Sequence, residues 1–104
     1  PERSAQQGAY LLGRLRELAS RRAGIRAVRG LGLMTGVELA PDGKRPPGDV
    51  CVAVVKRLLR AGFLALPEGA EGQVLGLTPP LVVTRRQIDR FCRALEEALF
   101  AEDM

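Results

Sequence analysis

The chain begins with apolar residues at three- and four-residue steps, Ala5, Ala9, Leu12, Leu15 and Leu18, with Arg14, Arg16 and Glu17 between them. That period predicts an amphipathic helix over residues 3–20. Gly24 supplies a C-cap, and Ile25 begins an extended connection. The period then changes. In "LGLMTGVEL", residues 31–39, Leu31, Leu33, Thr35, Val37 and Leu39 alternate with Gly32, Met34, Gly36 and Glu38, which predicts a strand. Gly32 and Gly36 would weaken one face of it unless a helix or another domain approaches the backbone closely there.

"APDGKRPPGD" follows as a turn and surface loop, with Pro41, Asp42 and Gly43 supplying the turn chemistry. Asp49 is placed to cap a helix over about residues 50–61, whose stripe is Val50, Ala53, Val54 and Leu58 and whose end is Gly62. "FLAL", 63–66, and "QVLGLT", 73–78, predict two short strands joined by a Gly-rich connection of hairpin length. Pro79 and Pro80 then stop the strand, because neither has an N–H for the ladder. Thr84 and Gln87 match a capping box, and Ile88, Phe91, Cys92, Leu95 and Leu99 give the last helix its apolar stripe. The order of elements predicts an α+β fold with helices on one face of a small, mainly antiparallel three-stranded sheet.

Composition narrows the function classes. At 104 residues the chain is the size of one domain, and it has no run of about 18 or more uncharged apolar residues able to span a bilayer. Its start lacks the apolar core of a signal peptide, and the absence of an initiator Met points to a fragment or a processed chain. The net charge of +4 raises the question of a phosphate-rich partner. The basic residues are scattered among acids, and three Phe, one Tyr and no Trp offer little for bases to stack on, which argues for solvated surface charge. Cys51 and Cys92 stand among apolar residues at helical spacing, as small core residues of a reducing cytoplasm would. With no histidine and no CxxC, neither a zinc site nor a thiol–imidazole or Ser–His pair is predicted.

Other chemistry is equally sparse. "GLG" at 30–32 precedes a strand instead of joining strand to helix, so it fails the context of a dinucleotide loop. Glu38, Glu68 and Glu71 have no predictable partner, and the last two read as surface acids. Lys44 lies in a polar turn and Lys56 on the exposed side of a helix, where neither becomes a Schiff-base nucleophile.

The ordered set "AVRGLGLMTGVEL", "RLLRAGFLALPEG" and "VLGLTPPLVVTRRQIDRFCRALEEAL", with "GAYLLGRLRELASR" before it, resembles the C-terminal small domain of class III pyridoxal-phosphate-dependent aminotransferases, the group of acetylornithine, ornithine and 4-aminobutyrate aminotransferases. The resemblance covers nearly the whole chain. It implies a fold type I enzyme whose large domain, outside this sequence, carries the Schiff-base lysine and most of the pyridoxal 5'-phosphate site. The chain alone is then expected to hold no cofactor, no metal and no catalytic residue, and to be inactive. Its implied partners are its own large domain, a second copy in a homodimer, and a small-molecule amino donor and 2-oxo acid; nucleic acid and membrane are not among them.

Gly76 departs from the pattern. Many members carry an Arg there, in Leu-Arg-x-x-Pro-Pro-Leu, where it serves carboxylate recognition or pairs with an active-site acid, a contact that Gly cannot replace. Alternation puts Gly76 on one face with Val74 and Thr78, and Leu75 and Leu77 on the other. If the leucines face the helices, Gly76 and Thr78 face the substrate. The structural alternative is that Gly76 only permits close backbone packing. Arg29 is also a family-like position, assigned to structural pairing near the domain junction. Aminotransferase chemistry is the leading expectation. An amino-acid racemase or epimerase of the same class is the near alternative, and a small basic nucleic-acid-binding module the distant one.

Overall fold

The computed structural model describes residues 2–22, 24–31, 34–40, 43–77 and 84–103, with side chains masked at 2–4 and 31. The elements are α1 (Glu2–Arg21), β1 (Ile25–Leu31), β2 (Met34–Leu39), α2 (Pro47–Arg60), β3 (Leu66–Glu68), β4 (Val74–Leu77) and α3 (Arg85–Glu102). The four strands form one antiparallel sheet in the order β1-β2-β4-β3. The α+β class is as expected, with four strands in place of three. The extra strand is β1, from the stretch read as an extended connection. It pairs with β2 from Ile25↔Leu39 to Leu31↔Met34, so "LGLMTGVEL" is not one strand but the end of β1 and the whole of β2. Alternation alone does not reveal a chain reversal, since both arms of a hairpin carry the same period.

Each helix buries one stripe. α1 contributes Leu11, Leu15 and Leu18; Leu12, expected on the stripe, is only half-buried and the earlier alanines are not core. α2 begins sooner than expected, at Pro47, with Asp49 inside its first turn and Pro46 at the N-cap. Proline is well suited there, because the first-turn N–H it lacks has no partner within the helix. Its buried residues are Cys51, Val54 and Leu58. The helix ends in a Schellman arrangement: the N–H of Phe63 donates to the Leu58 carbonyl at 2.8 Å and that of Gly62 to Leu59 at 3.0 Å, with Gly62 at φ +93°. At the other end, a Cβ on Gly48 would run into the backbone oxygen of Glu71, so the helix start can lie against the β3–β4 loop only as glycine.

α3 carries the expected capping box: Gln87 N–H donates to Thr84 Oγ1 at 3.1 Å and Thr84 N–H to Gln87 Oε1 at 2.9 Å. Ile88, Cys92, Leu95, Ala98 and Leu99 are its buried side. Phe91 is partly buried, edge-to-face with Phe63 at 5.4 Å between centroids. Together with Val37, Leu39, Leu75 and Leu77 of the sheet, these stripes make one core. α1 lies along β1, α2 along β2, β3 and β4, and α3 packs on α1 and α2. Arg45 and Arg57 both bind the nearly buried Glu102 carboxylate, at 2.8 and 2.5 Å, tying the end of α3 to the start and end of α2. The two arginines hold the Glu102 pKa below the usual 4.5, Arg45 more than Arg57.

Cys51 and Cys92 are buried free thiols, and burial pushes both up to about 11. A thiol held protonated is an inert core residue, as expected. Among the described residues no helix is long and apolar enough to cross a membrane, and no group of His, Cys, Asp or Glu is placed to hold a metal ion.

Candidate functional site

The helices cover only one face of the sheet. Register decides which residues lie on the other, because directly paired residues of an antiparallel sheet share a face. Arg29 pairs with Gly36, Gly36 with Gly76, and Gly76 with Leu66; Glu38 and Glu68 both pair with Val74. This open face is therefore built from Ala27, Arg29, Gly36, Glu38, Val74, Gly76, Leu66 and Glu68, with the half-buried Val74 between the two carboxylates. Leu75 and Leu77 point to the helices, with Leu75 fully buried. The condition under which Gly76 lies away from the core is thus met. Thr78, the other expected substrate contact, lies outside the described residues, as do Pro79, Pro80 and Gly32.

Two glycines opposite one another leave the middle of the face without side chains of its own, and both are covered by their neighbours. On one side the Arg29 guanidinium donates to Glu38 at 2.5 Å, and Arg26 stands 4.0 Å from the same carboxylate. Arg26 reaches it because a bulge between Ile25 and Ala27 inserts an extra residue into β1. Arg29 is thus ion-paired, as its structural assignment requires. Glu38, for which the sequence offered no partner, has two.

On the other side of these glycines the structure gives Gly76 a neighbour that the sequence did not point to. A Cβ built on Gly76 would lie 2.6 Å from Glu68 Cγ, 3.5 Å from its Cδ and 3.3 Å from the Leu66 carbonyl oxygen. The Glu68 side chain therefore folds across the strand into space that only glycine leaves free. Glu68 is exposed, as read, but it is not simply a loop acid: it ends β3, where hairpin register sets it diagonally across from Gly76. The signal was hidden because β3 starts at Leu66 and not at Phe63, which changes the pairing. Leu66 and Leu64 are 57 and 78 % exposed, so this edge of the sheet presents apolar surface as well as a carboxylate.

A groove between α1 and α3 is walled by Arg14, Arg21 and Arg93 against Glu17, Asp89 and Glu96. Its charges largely satisfy one another: Arg14 and the Tyr10 hydroxyl bind Asp89, and Arg21 binds Glu17 and Glu96. It fastens two helices, and of these charges Arg93 is the one without an ion pair among the described residues.

Nor do the described residues fit pyridoxal phosphate. Lys44 and Lys56 are both exposed, so neither is a desolvated amine suited to a Schiff base, and no glycine-rich phosphate cradle opens a helix. No chemical step through that cofactor is derived from this chain.

The family model described as "Aminotransferase class-III" matches residues 1–99. The chain belongs to the class III aminotransferases, a family that uses pyridoxal phosphate. It is 42 % identical over 98 residues to an ornithine aminotransferase of Bordetella pertussis, covering 94 % of this chain and 21 % of that protein. It is 34 % identical over 92 residues to an alanine/serine racemase of Pyrococcus horikoshii, covering 88 and 19 %. Among solved structures, a phospholyase from Arthrobacter in complex with phosphoethanolamine superposes with a TM-score of 0.85 at 31 % identity, covering 95 % of this chain and 24 % of that one. The chain spans about a fifth of the length of the relatives it matches.

Proposed function

We propose that this chain is the C-terminal small domain of a class III pyridoxal-phosphate-dependent aminotransferase, which moves an amino group from an amine or amino acid to a 2-oxo acid. In this reading the remainder of the enzyme supplies the cofactor site and the catalytic lysine. The chain covers the substrate side, inactive by itself, and two copies of the whole enzyme form a dimer. The observation that carries the reading is the two-sided sheet: one face is covered by α1 and α2 with α3 packed on them, while the other carries the exposed Leu66 beside the paired, buried Gly36 and Gly76. Glycines on an uncovered face suit the close approach of another body.

Position 76 then faces the substrate side without the arginine that would otherwise clamp a carboxylate, its glycine leaving the space that the Glu68 side chain crosses. Small-molecule donors and acceptors are the partners, with neither nucleic acid nor membrane required. Many arginines of the chain are already engaged with its own acids.

The test is spectroscopic. Full-length protein is expected to carry the visible absorbance of its cofactor and to lose it on addition of a competent amino donor; a full-length protein without that absorbance would refute the proposal. The similarity to an alanine/serine racemase keeps a second reading, in which the same protein inverts an amino acid instead of transferring its nitrogen. Exchange of the α-hydrogen with solvent, without production of a 2-oxo acid, would favour it.

A further inference from the structure

We infer that Glu68 sets the charge of the substrate side of the site, so that the enzyme favours a donor whose distal end is an ammonium group over one whose distal end is a carboxylate. This rests on the proposal that the open face meets the substrate.

The two carboxylates of that face are not equivalent. Glu38 is held by Arg29 at 2.5 Å and approached by Arg26 at 4.0 Å, so its charge is spent within the sheet. Glu68 has no ion pair or hydrogen bond among the described residues. It is nonetheless placed. Its strand is locked to β4 from Leu66↔Gly76 to Glu68↔Val74, and the following loop is braced by the Glu71 N–H donating to Gln73 Oε1 at 3.0 Å. Its methylenes occupy the space above Gly76, with Cγ where even a methyl group on residue 76 would collide. Leu66 flanks it with apolar surface.

An unspent negative charge beside apolar surface gains strength once another body excludes water, and it then repels a second carboxylate and attracts a cation. Glycine at 76 is thus more than an empty place: it is what lets Glu68 lie over the middle of the open face. A guanidinium introduced at 76 would meet Glu68 before it met any substrate.

The test compares putrescine and 4-aminobutyrate, which differ only at the distal end, as donors to one 2-oxo acid in the cofactor-loaded full-length enzyme, reading the ratio of their kcat/KM values. Glu68→Gln is expected to lower the putrescine-to-aminobutyrate ratio about tenfold, through a higher KM for putrescine. Gly76→Arg is expected to lower it by a similar factor, its guanidinium neutralised by Glu68. The double variant leaves that guanidinium free and is expected to exceed either, favouring 4-aminobutyrate. Inhibition by glutarate, which has no amino group to transfer, is expected to tighten in the same order.

A ratio within twofold of wild type in Glu68→Gln overturns the inference. If Gly76→Arg then still shifts the ratio, Gly76 faces the substrate and Glu68 alone is misassigned. If the double variant also shifts nothing, with cofactor absorbance retained, the substrate-facing reading of Gly76 falls as well. Should the arginine variants fail to fold, Glu68→Gln decides by itself, since it preserves shape at an exposed position.

Discussion

The two faces of the sheet share their backbone and differ in almost everything else. Toward the helices stand Val37 and Leu75, both fully buried, with Leu77 beside them. Away from the helices stand two facing glycines, an ion-paired Arg29 and Glu38, and the exposed Leu66 and Glu68. Burying a large aliphatic side chain stabilises a fold by roughly 1.5–3 kcal/mol. The covered face therefore holds this chain together. The open face contributes little to that, and its residues are free to answer to another body.

Four substitutions test that contrast, in falling order of effect. Leu75→Ala, on the covered face, is expected to cost about 2–5 kcal/mol in urea denaturation of the chain, because it leaves a cavity between sheet and helices. A cost below about 1 kcal/mol would mean that the helices can collapse onto the gap and that the covered face is not close-packed. Glu102→Gln, in the helix layer behind that face, is expected to cost about 1–2 kcal/mol, since two arginines lose a charged acceptor.

The same carboxylate predicts a pH dependence. Its pKa in the folded chain lies below the ordinary 4.5, so the unfolded chain binds the proton first as the pH falls. Stability from Glu102 is complete above about pH 5 and declines as the pH drops through 4.5 toward the lowered folded value. Wild type should lose stability over that range more steeply than Glu102→Gln, and parallel curves would remove Glu102 as the cause.

On the open face the effects shrink. Arg29→Ala is expected to cost no more than about 0.5 kcal/mol, because the arginine is half-exposed and such pairs are weak; the chevron or melting curve of the variant should nearly overlay that of wild type. Leu66→Ser is expected to change the stability of this chain by less than about 0.5 kcal/mol. In the full-length enzyme the same change should loosen the assembly, seen as a lower melting temperature. If Leu66→Ser destabilises the chain as much as Leu75→Ala, the distinction between the faces is wrong.

The comparison also explains which parts of the molecule could be read in advance. The capped start of α3 and most of its stripe were legible, with Phe91 only partly buried and Ala98 missed, because the Thr84–Gln87 box and the run from Ile88 to Leu99 are local features of one continuous segment. Gly62 ended α2 as expected for the same reason. The start of α2 was not legible: Asp49 is a good capping residue, but Pro46 and Pro47 set the first turn earlier. β1 was missed because its partner is the segment immediately after it, and a hairpin between two apolar arms looks like one long arm. The candidate site was half legible. Parity alone put Gly76 opposite the leucines, whereas Glu68 needed the pairing of β3 with β4.

Local order of residues was enough for the α+β class, the family resemblance, the capped last helix and the departure at Gly76, because each depends on side-chain types at fixed spacing along the chain. What fills the space above Gly76, which acid answers Arg29, and which face of the sheet stays bare depend on strand register. Register joins residues far apart in sequence, and shifting it by one position exchanges the two faces. Only the folded sheet brings Glu68 to Gly76 and spends the charge of Glu38 while leaving that of Glu68 in place.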